Sequence, residues 1–231
     1  VGFVLTSTFS AIITNQGTDT PMPAQVINWQ YSLGGAMIDF GSSTSDARGV
    51  ATSPDISLPT TSGTIAVLAI LAADPTKTVS YEILALPGAA AAISVLGQSL
   101  KTAVVGTIQP QLFSVLLADS YGNPIRNAAI QWEAASGSLA AMQTTTDDLG
   151  KAVAPDWTLP TLTGSYSMLA KAGDVVQNFT VNATSDIGSQ IAIYGIGDQT
   201  ATVGSNLSIP FTVIVKDQYA NPVPQATIDW L

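Results

Sequence analysis

Cysteine and histidine are both absent from these 231 residues. Without cysteine there is no disulfide, no thiolate nucleophile and no cysteine-based metal site. Without histidine the commonest general base and the commonest metal ligand are gone as well. Charge is scarce. Charged residues make up 10% of the chain, against roughly 25% in an ordinary soluble domain. The net charge is −9 with only 7 basic residues, so no basic patch is available for nucleic acid. The longest apolar run, Ile65 to Ala73, falls far short of the ~20 residues of a membrane span. No membrane insertion is expected in this segment. Val1 opens the chain with neither Met nor a basic-then-apolar leader, as expected of a processed or internal segment.

What is present is apolar material and repetition. Hydrophobic residues make up 46% of the chain, enough for sizeable cores held by burial alone. Three segments align. The first runs from Phe9-Ser-Ala-Ile-Ile through Pro21 to Gln25-Val-Ile-Asn-Trp29. The second runs from Phe113-Ser-Val-Leu-Leu-Ala-Asp-Ser-Tyr-Gly-Asn-Pro124 to Ala129-Ile-Gln-Trp132. The third runs from Phe211-Thr-Val-Ile-Val-Lys-Asp-Gln-Tyr-Ala-Asn-Pro222 to Thr227-Ile-Asp-Trp230. Trp29 and Trp132 lie 103 residues apart, and Trp132 and Trp230 lie 98 apart. Farther on, Pro54-Asp-Ile-Ser-Leu-Pro-Thr-Thr-Ser-Gly63 matches Pro155-Asp-Trp-Thr-Leu-Pro-Thr-Leu-Thr-Gly164, which places a small length difference between Trp29 and Asp46. Upstream, Ile93 to Gly106 matches Ile191 to Gly204, and Val1-Gly2 matches Val105-Gly106. A period near 100 is a whole-domain repeat, the size of an immunoglobulin-like sandwich.

The pattern inside each repeat is that of strands. Phe113, Val115 and Leu117 alternate with Ser114, Leu116 and Ala118, and period two marks a strand with one buried face. Asn, Gly and Pro then turn the chain. Strands follow over 129–133, 139–146, 151–159, 165–171 and 175–183, separated by turns at Ser136-Gly137, Asp147–Gly150 and Pro160–Gly164. About seven strands at such spacing predict an all-β fold of tandem immunoglobulin-like β-sandwiches. The limits read as 1–87, a repeat lacking its first strand; 88–185, a complete repeat; and 186–231, the N-terminal part of a third. Short junctions, Ala85-Leu-Pro-Gly88 and Thr184-Ser-Asp-Ile-Gly188, predict limited bending between repeats.

The run from Asp119-Ser-Tyr-Gly-Asn-Pro124 to Trp132, then Asp148-Leu-Gly-Lys-Ala152 and Thr163-Gly164-Ser-Tyr, resembles the bacterial Ig-like group 1 domain of invasin- and intimin-type adhesins. Asp217-Gln-Tyr-Ala-Asn-Pro-Val-Pro224 repeats the turn, whereas Asn15-Gln-Gly-Thr-Asp-Thr-Pro21 replaces it in the first repeat and is one residue longer. The resemblance implies rigid spacers that lift a binding domain off a bacterial surface, or modules that stack in filaments.

Phe9, Trp29, Phe113, Trp132, Phe211 and Trp230 are expected in the cores, the three tryptophans in like surroundings. Trp157, aligned with Ile56 rather than with another tryptophan, is expected to be buried as well. Asp119, Gly122, Asn123 and Pro124, with Asp217, Asn221 and Pro222, form the turn motif. Its aspartates read as Asx-turn residues accepting backbone N–H bonds. The competing reading is calcium, which takes about 6–8 oxygens and has no recognisable binding loop here. Asn178, Asn182 and Asn206 fit the N-glycosylation pattern, which recurs by chance in Asn- and Thr-rich chains.

No nucleophile–base pair stands out and the acids do not cluster. The expectation is therefore a non-catalytic spacer of a surface adhesin or extracellular filament, without cofactor. Its expected partners are neighbouring Ig-like domains and copies of itself. Two readings compete: a carbohydrate- or receptor-binding module, and accessory domains of a larger secreted enzyme.

Overall fold

The computed structural model describes residues 4–6, 8–33 and 35–231. The aligned pair Val1-Gly2 lies outside them. Among the described residues every regular element is a strand, and no helix is long and apolar enough to cross a membrane. The chain forms two compact units. One takes the residues up to Ala89 together with Asp119–Asn123; the other takes Ala90–Ala118 and Pro124–Leu231.

The first unit contains β1 (Val4–Leu5), β2 (Ser10–Ile12), β3 (Val26–Leu33), β4 (Ala36–Thr44), β5 (Val50–Thr52), β6 (Ile56–Ser57), β7 (Gly63–Leu71) and β8 (Thr78–Ala85). A four-stranded sheet in the order β4-β3-β7-β8 is joined by the pairs β2-β5 and β1-β6. Along β7 the side chains of Ile65, Val67 and Ala69 are buried in alternation, as the pleat requires. Trp29 of β3, Val67 and Ala69 of β7, Ala11 of β2, Ala51 of β5 and Ile56 of β6 close one core. The length difference expected between Trp29 and Asp46 falls in the β3–β4 hairpin, where pairing runs out to Leu33 and Ala36 around a bulge at Trp29/Gln30.

The second unit continues with β9 (Ala90–Val95), β10 (Leu100–Val104), β11 (Ile108–Gln109), β12 (Ser114–Asp119), β13 (Ala129–Ala134), β14 (Ser138–Leu139), β15 (Gln143–Thr145), β16 (Lys151–Val153), β17 (Trp157–Thr158), β18 (Gly164–Ala172), β19 (Val175–Thr184), β20 (Gln190–Ile193) and β21 (Val213–Lys216). One sheet runs β10-β19-β18-β13-β15, a second β16-β12-β9, and a small third β11-β17-β14. β10 joins β19 in parallel. Phe113, Trp132, Trp157, Met168 and Phe179 fill the core, with Phe113 stacked on Phe179 at 4.4 Å. This is an all-β, Ig-like sandwich.

Three expectations need correction. The strand expected over 139–146 is two pieces, β14 pairing with β17 and β15 with β13. The strand expected over 151–159 is also two, because Pro155 has no N–H to give a ladder. β16 therefore pairs with β12, and β17 crosses to β11 and β14. The about seven strands expected are divided into eleven elements, β9 to β19, in that repeat. Finally, Trp29 and Trp132 are 0% and 1% exposed, but Phe211 and Trp230 are 47% and 64% exposed. The third repeat contributes only the β20–β21 pair, so no sheet among the described residues covers those two rings.

The first two tryptophans share atomic surroundings. Trp29 Nε1 donates to Ser43 Oγ and Trp132 Nε1 to the aligned Thr144 Oγ1, each at 2.8 Å. Phe9 is half-buried, packed on its core and 5.0 Å from the Tyr81 ring. Trp157 is fully buried and donates to Ser136 O.

Candidate functional site

The turn motif is where sequence-matched residues converge most closely. β12 ends at Asp119, and an isolated bridge between Ala118 and Pro124 closes the turn. Gly122 sits at φ +83°, a left-handed conformation that glycine adopts without strain. The carboxylate of Asp119 organises the loop. Its Oδ1 accepts from Tyr121 N and Asn123 N, both at 2.9 Å. Its Oδ2 accepts from Asn123 Nδ2 at 2.9 Å and from Gly88 N at 2.8 Å.

Asn123 then reaches outward. Its Nδ2 donates to Thr60 O at 2.7 Å and its Oδ1 accepts from Ser62 N at 2.8 Å. These contacts lie within the first unit, to which residues 119–123 belong. A planar carboxamide with a donor and an acceptor side by side is satisfied by one residue's C=O and the N–H two residues on. It acts as a short piece of sheet edge.

The second copy of the motif repeats the arrangement atom for atom inside the second unit. Asp217 Oδ1 accepts from Tyr219 N and Asn221 N, and Oδ2 accepts from Asn221 Nδ2 and Asp186 N. Asn221 Nδ2 donates to Thr161 O at 2.8 Å, and its Oδ1 accepts from Thr163 N at 3.0 Å. Here the third repeat is held on the 160–164 turn of the second. Asp119, Asn123, Asp217 and Asn221 are all buried. Pro124 and Pro222 are exposed and complete matching bridges to Ala118 and Lys216.

A ring contact joins the clamp. Tyr219 packs on the core of the second repeat, and a Cβ added to Gly106 would lie 2.6 Å from its hydroxyl oxygen. Only glycine lets the ring in, and Gly106 also holds φ +68°.

Electrostatics follow from this geometry. Burial disfavours ionised Asp119, but the bonds from the Asn123 side chain, Gly88 N, Asn123 N and Tyr121 N outweigh it. The carboxyl is brought down to about 2. Asp217 moves in the same direction, with burial again opposed by bonds from Asn221, Asp186 N and Tyr219 N. A carboxylate surrounded by N–H donors is arranged to fix backbone rather than to offer lone pairs to calcium. Among the described residues no three acidic side chains gather at one point.

The first repeat's turn lacks the clamp. Asn15 stands for the aspartate and Thr20 for the asparagine, and both are exposed. Its turn closes instead through Thr14–Pro21 bridging and backbone bonds from Thr18 N and Asp19 N to Asn15 O. The sequence reading found the motif and the linkers. It did not find the asparagine's reach into the preceding loop, nor Gly106 as the seat of Tyr219. One signal was present: the turn motif and the Pro-Thr-x-x-Gly loop occur in step, so that each clamp has a loop before it.

No protein-family model matches the sequence, and no curated protein sequence matches it. Solved structures do. The structure of Yersinia pseudotuberculosis InvD is similar over 94% of this chain and 66% of its own, at 16% identity and a TM-score of 0.58. The crystal structure of invasin, described as a bacterial integrin-binding protein, is matched over 95% of this chain and 44% of its own, at 18% identity and a TM-score of 0.47. The D0–D1 domain of intimin is matched over 75% of this chain and 86% of its own, at 16% identity and a TM-score of 0.30. This chain thus spans less than half of the invasin structure and about two thirds of the InvD one. The likeness to InvD is one of fold.

Proposed function

We propose that this chain is a non-catalytic spacer segment of a bacterial surface adhesin or extracellular filament, built from Ig-like repeats with limits at 1–87, 88–185 and 186–231. One observation carries the reading: the buried Asp–Asn clamp, which recurs with the same partners at Asp119/Asn123 and Asp217/Asn221. A clamp of this kind does no chemistry. It spends buried polar groups on geometry, fixing a loop, a linker N–H and a turn in one register. Such groups cost stability unless every bond is made, so their repetition favours a role in which orientation is the product. The fold shared with InvD and the absence of cysteine support a reading on the cell surface or outside the cell, where a chain held by core burial alone needs no disulfide.

Small-angle scattering of the 231-residue chain tests it. An elongated, stiff profile is expected. The double variant Asn123→Ala, Asn221→Ala is expected to broaden the distance distribution while each repeat stays folded by circular dichroism. A freely jointed profile for the unaltered chain would overturn the reading.

A further inference from the structure

Tension along the chain reaches the second repeat through β9 and leaves it after β19. The order of strands decides how that load falls. β10 is an edge strand of the five-stranded sheet, and its neighbour there is β19, the strand that closes the repeat. The two run parallel, from Leu100 opposite Thr180 to Val104 opposite Thr184. β10 is therefore pulled toward its start while β19 is pulled toward its end. The two pulls oppose each other along the strand axis.

The bonds between the strands follow from the register. Thr180 N donates to Ser99 O at 2.8 Å at one end, and Val105 N donates to Thr184 O at 3.0 Å at the other. In a parallel ladder each bonding residue joins the two residues that flank the one opposite it. Lys101, opposite Val181, thus bonds to Thr180 and Asn182; Ala103, opposite Ala183, bonds to Asn182 and Thr184. Thr184 Oγ1 adds a bond to Ala103 O at 3.3 Å. Sliding strains all of these together, because each runs between the strands, across the direction of travel. Peeling from one end would strain them one at a time.

The surroundings concentrate the load on this ladder. Val105, Val181 and Ala183 are buried on its inner flank, which keeps out water that would replace the bonds as they stretch. On its far side β19 is held by the longer antiparallel pairing with β18, from Gly164 opposite Ala183 to Ala172 opposite Val175. Slip therefore falls between β10 and β19. β9 lies beside β12 in another sheet. Stripping it frees only the chain up to Ser99, roughly 35 Å when extended, and leaves the ladder whole.

We infer that the β10–β19 ladder is a shear clamp, which keeps the second repeat folded while the chain is under tension. Strand order inside one repeat is enough for this, whether or not the repeats together make a stiff rod. A freely jointed scattering profile would remove the spacer reading and leave the clamp untouched.

The direction of pulling tests it. The chain has no cysteine, so single-molecule handles attach only where cysteine is introduced. In the whole 231-residue chain, Leu100→Cys with Ser185→Cys loads the ladder along its strands. Leu100→Cys with Ala135→Cys loads the same sheet across them, because Leu100, Thr180, Ser167 and Ala135 lie in one row. At one loading rate the rupture force along the strands is expected to exceed that across them at least about twofold, since forced unfolding is governed by the barrier rather than by equilibrium stability. Lys101→Pro, which removes a donor facing β19, is expected to lower the along-strand force toward the across-strand one. Thr102→Pro is expected to leave it unchanged, since an edge strand tolerates proline where the lost N–H faces outward. Equal forces in the two directions overturn the proposal, as does equal weakening by the two prolines. If Lys101→Pro does not fold by circular dichroism, the two directions of pulling decide alone.

Discussion

Asn221 and Thr161, sixty residues apart in sequence, are joined by a 2.8 Å bond from the carboxamide nitrogen to the main-chain carbonyl, and Thr163 N returns a bond to the same carboxamide. One side chain thereby holds the 160–164 turn of the second repeat against the turn of the third. Each bond exchanges for water on opening, so each contributes only about 0.5–1.5 kcal/mol net. Burial makes the loss of one partner more costly than that.

Asn221→Ala is therefore expected to destabilise attachment of the third-repeat segment by about 2 kcal/mol. Amide exchange at Val213–Lys216 and at Thr163 should accelerate, while exchange in β18 and β19 stays unchanged. Asn221→Asp is expected to be worse than alanine. It removes the Nδ2 donor and sets a second carboxylate beside Asp217.

Gly106 and Tyr219 test the ring contact. Gly106→Ala meets the phenol ring and a left-handed backbone at once, and the backbone part alone costs roughly 1 kcal/mol. Gly106→Ala, Tyr219→Ala and the double variant, compared by urea unfolding, form a cycle. The expected result is that alanine at 106 costs less once the ring is gone. An additive cycle would show that the ring does not rest on that glycine.

Ala220 offers a gain. It takes φ +68° at the position where the second repeat has Gly122, and a residue with a Cβ pays about 1 kcal/mol or more there. Ala220→Gly is expected to recover part of that, raising protection at Asn221 N without altering any bond of the clamp.

The repeat was legible in the sequence where its signals are local, and the structure carries it down to single bonds. Trp29 and Trp132 match at an offset of 103 and their acceptors Ser43 and Thr144 at 101, on either side of the length difference. Ser45 and Thr146, also 101 apart, each accept a main-chain N–H and donate to a carbonyl in aligned loops. Asp46 and Asp147 likewise cap their turns identically. What stayed hidden depends on partners far away in sequence. Asn123 and Asn221 look like turn residues because they are. Their second role lies in loops some sixty residues earlier, and no local pattern marks it. The fates of Phe211 and Trp230 were misread for a related reason. Period two says which face of a strand is apolar, but only a second sheet makes that face a core. Trp132→Ala is accordingly expected to cost on the order of 3–5 kcal/mol, and Trp230→Ala less than about 0.5 kcal/mol, the scale of an exposed substitution.

Acid should loosen the clamp from the carboxylate side. The pKa of Asp119 is about 2 in the folded chain and that of an unperturbed aspartate is 3.8, so the folded state binds the proton less readily than the unfolded one. A group depressed in this way adds stability that is fully present above the unfolded value. The contribution fades as pH falls through the folded value. Its window is thus from about pH 5 down to about pH 2, and Asp217, lowered for the same cause, shares the direction. Asp119→Asn keeps the shape but replaces one acceptor with an amide facing N–H donors. At neutral pH the variant should be less stable than the unaltered chain, and on acidification the gap should close, because the unaltered protein loses what the variant never had. Urea midpoints measured at intervals from pH 7 to pH 2 give the comparison. A gap that stays constant across that range would mean the Asp119 carboxylate is not held by the four N–H donors around it.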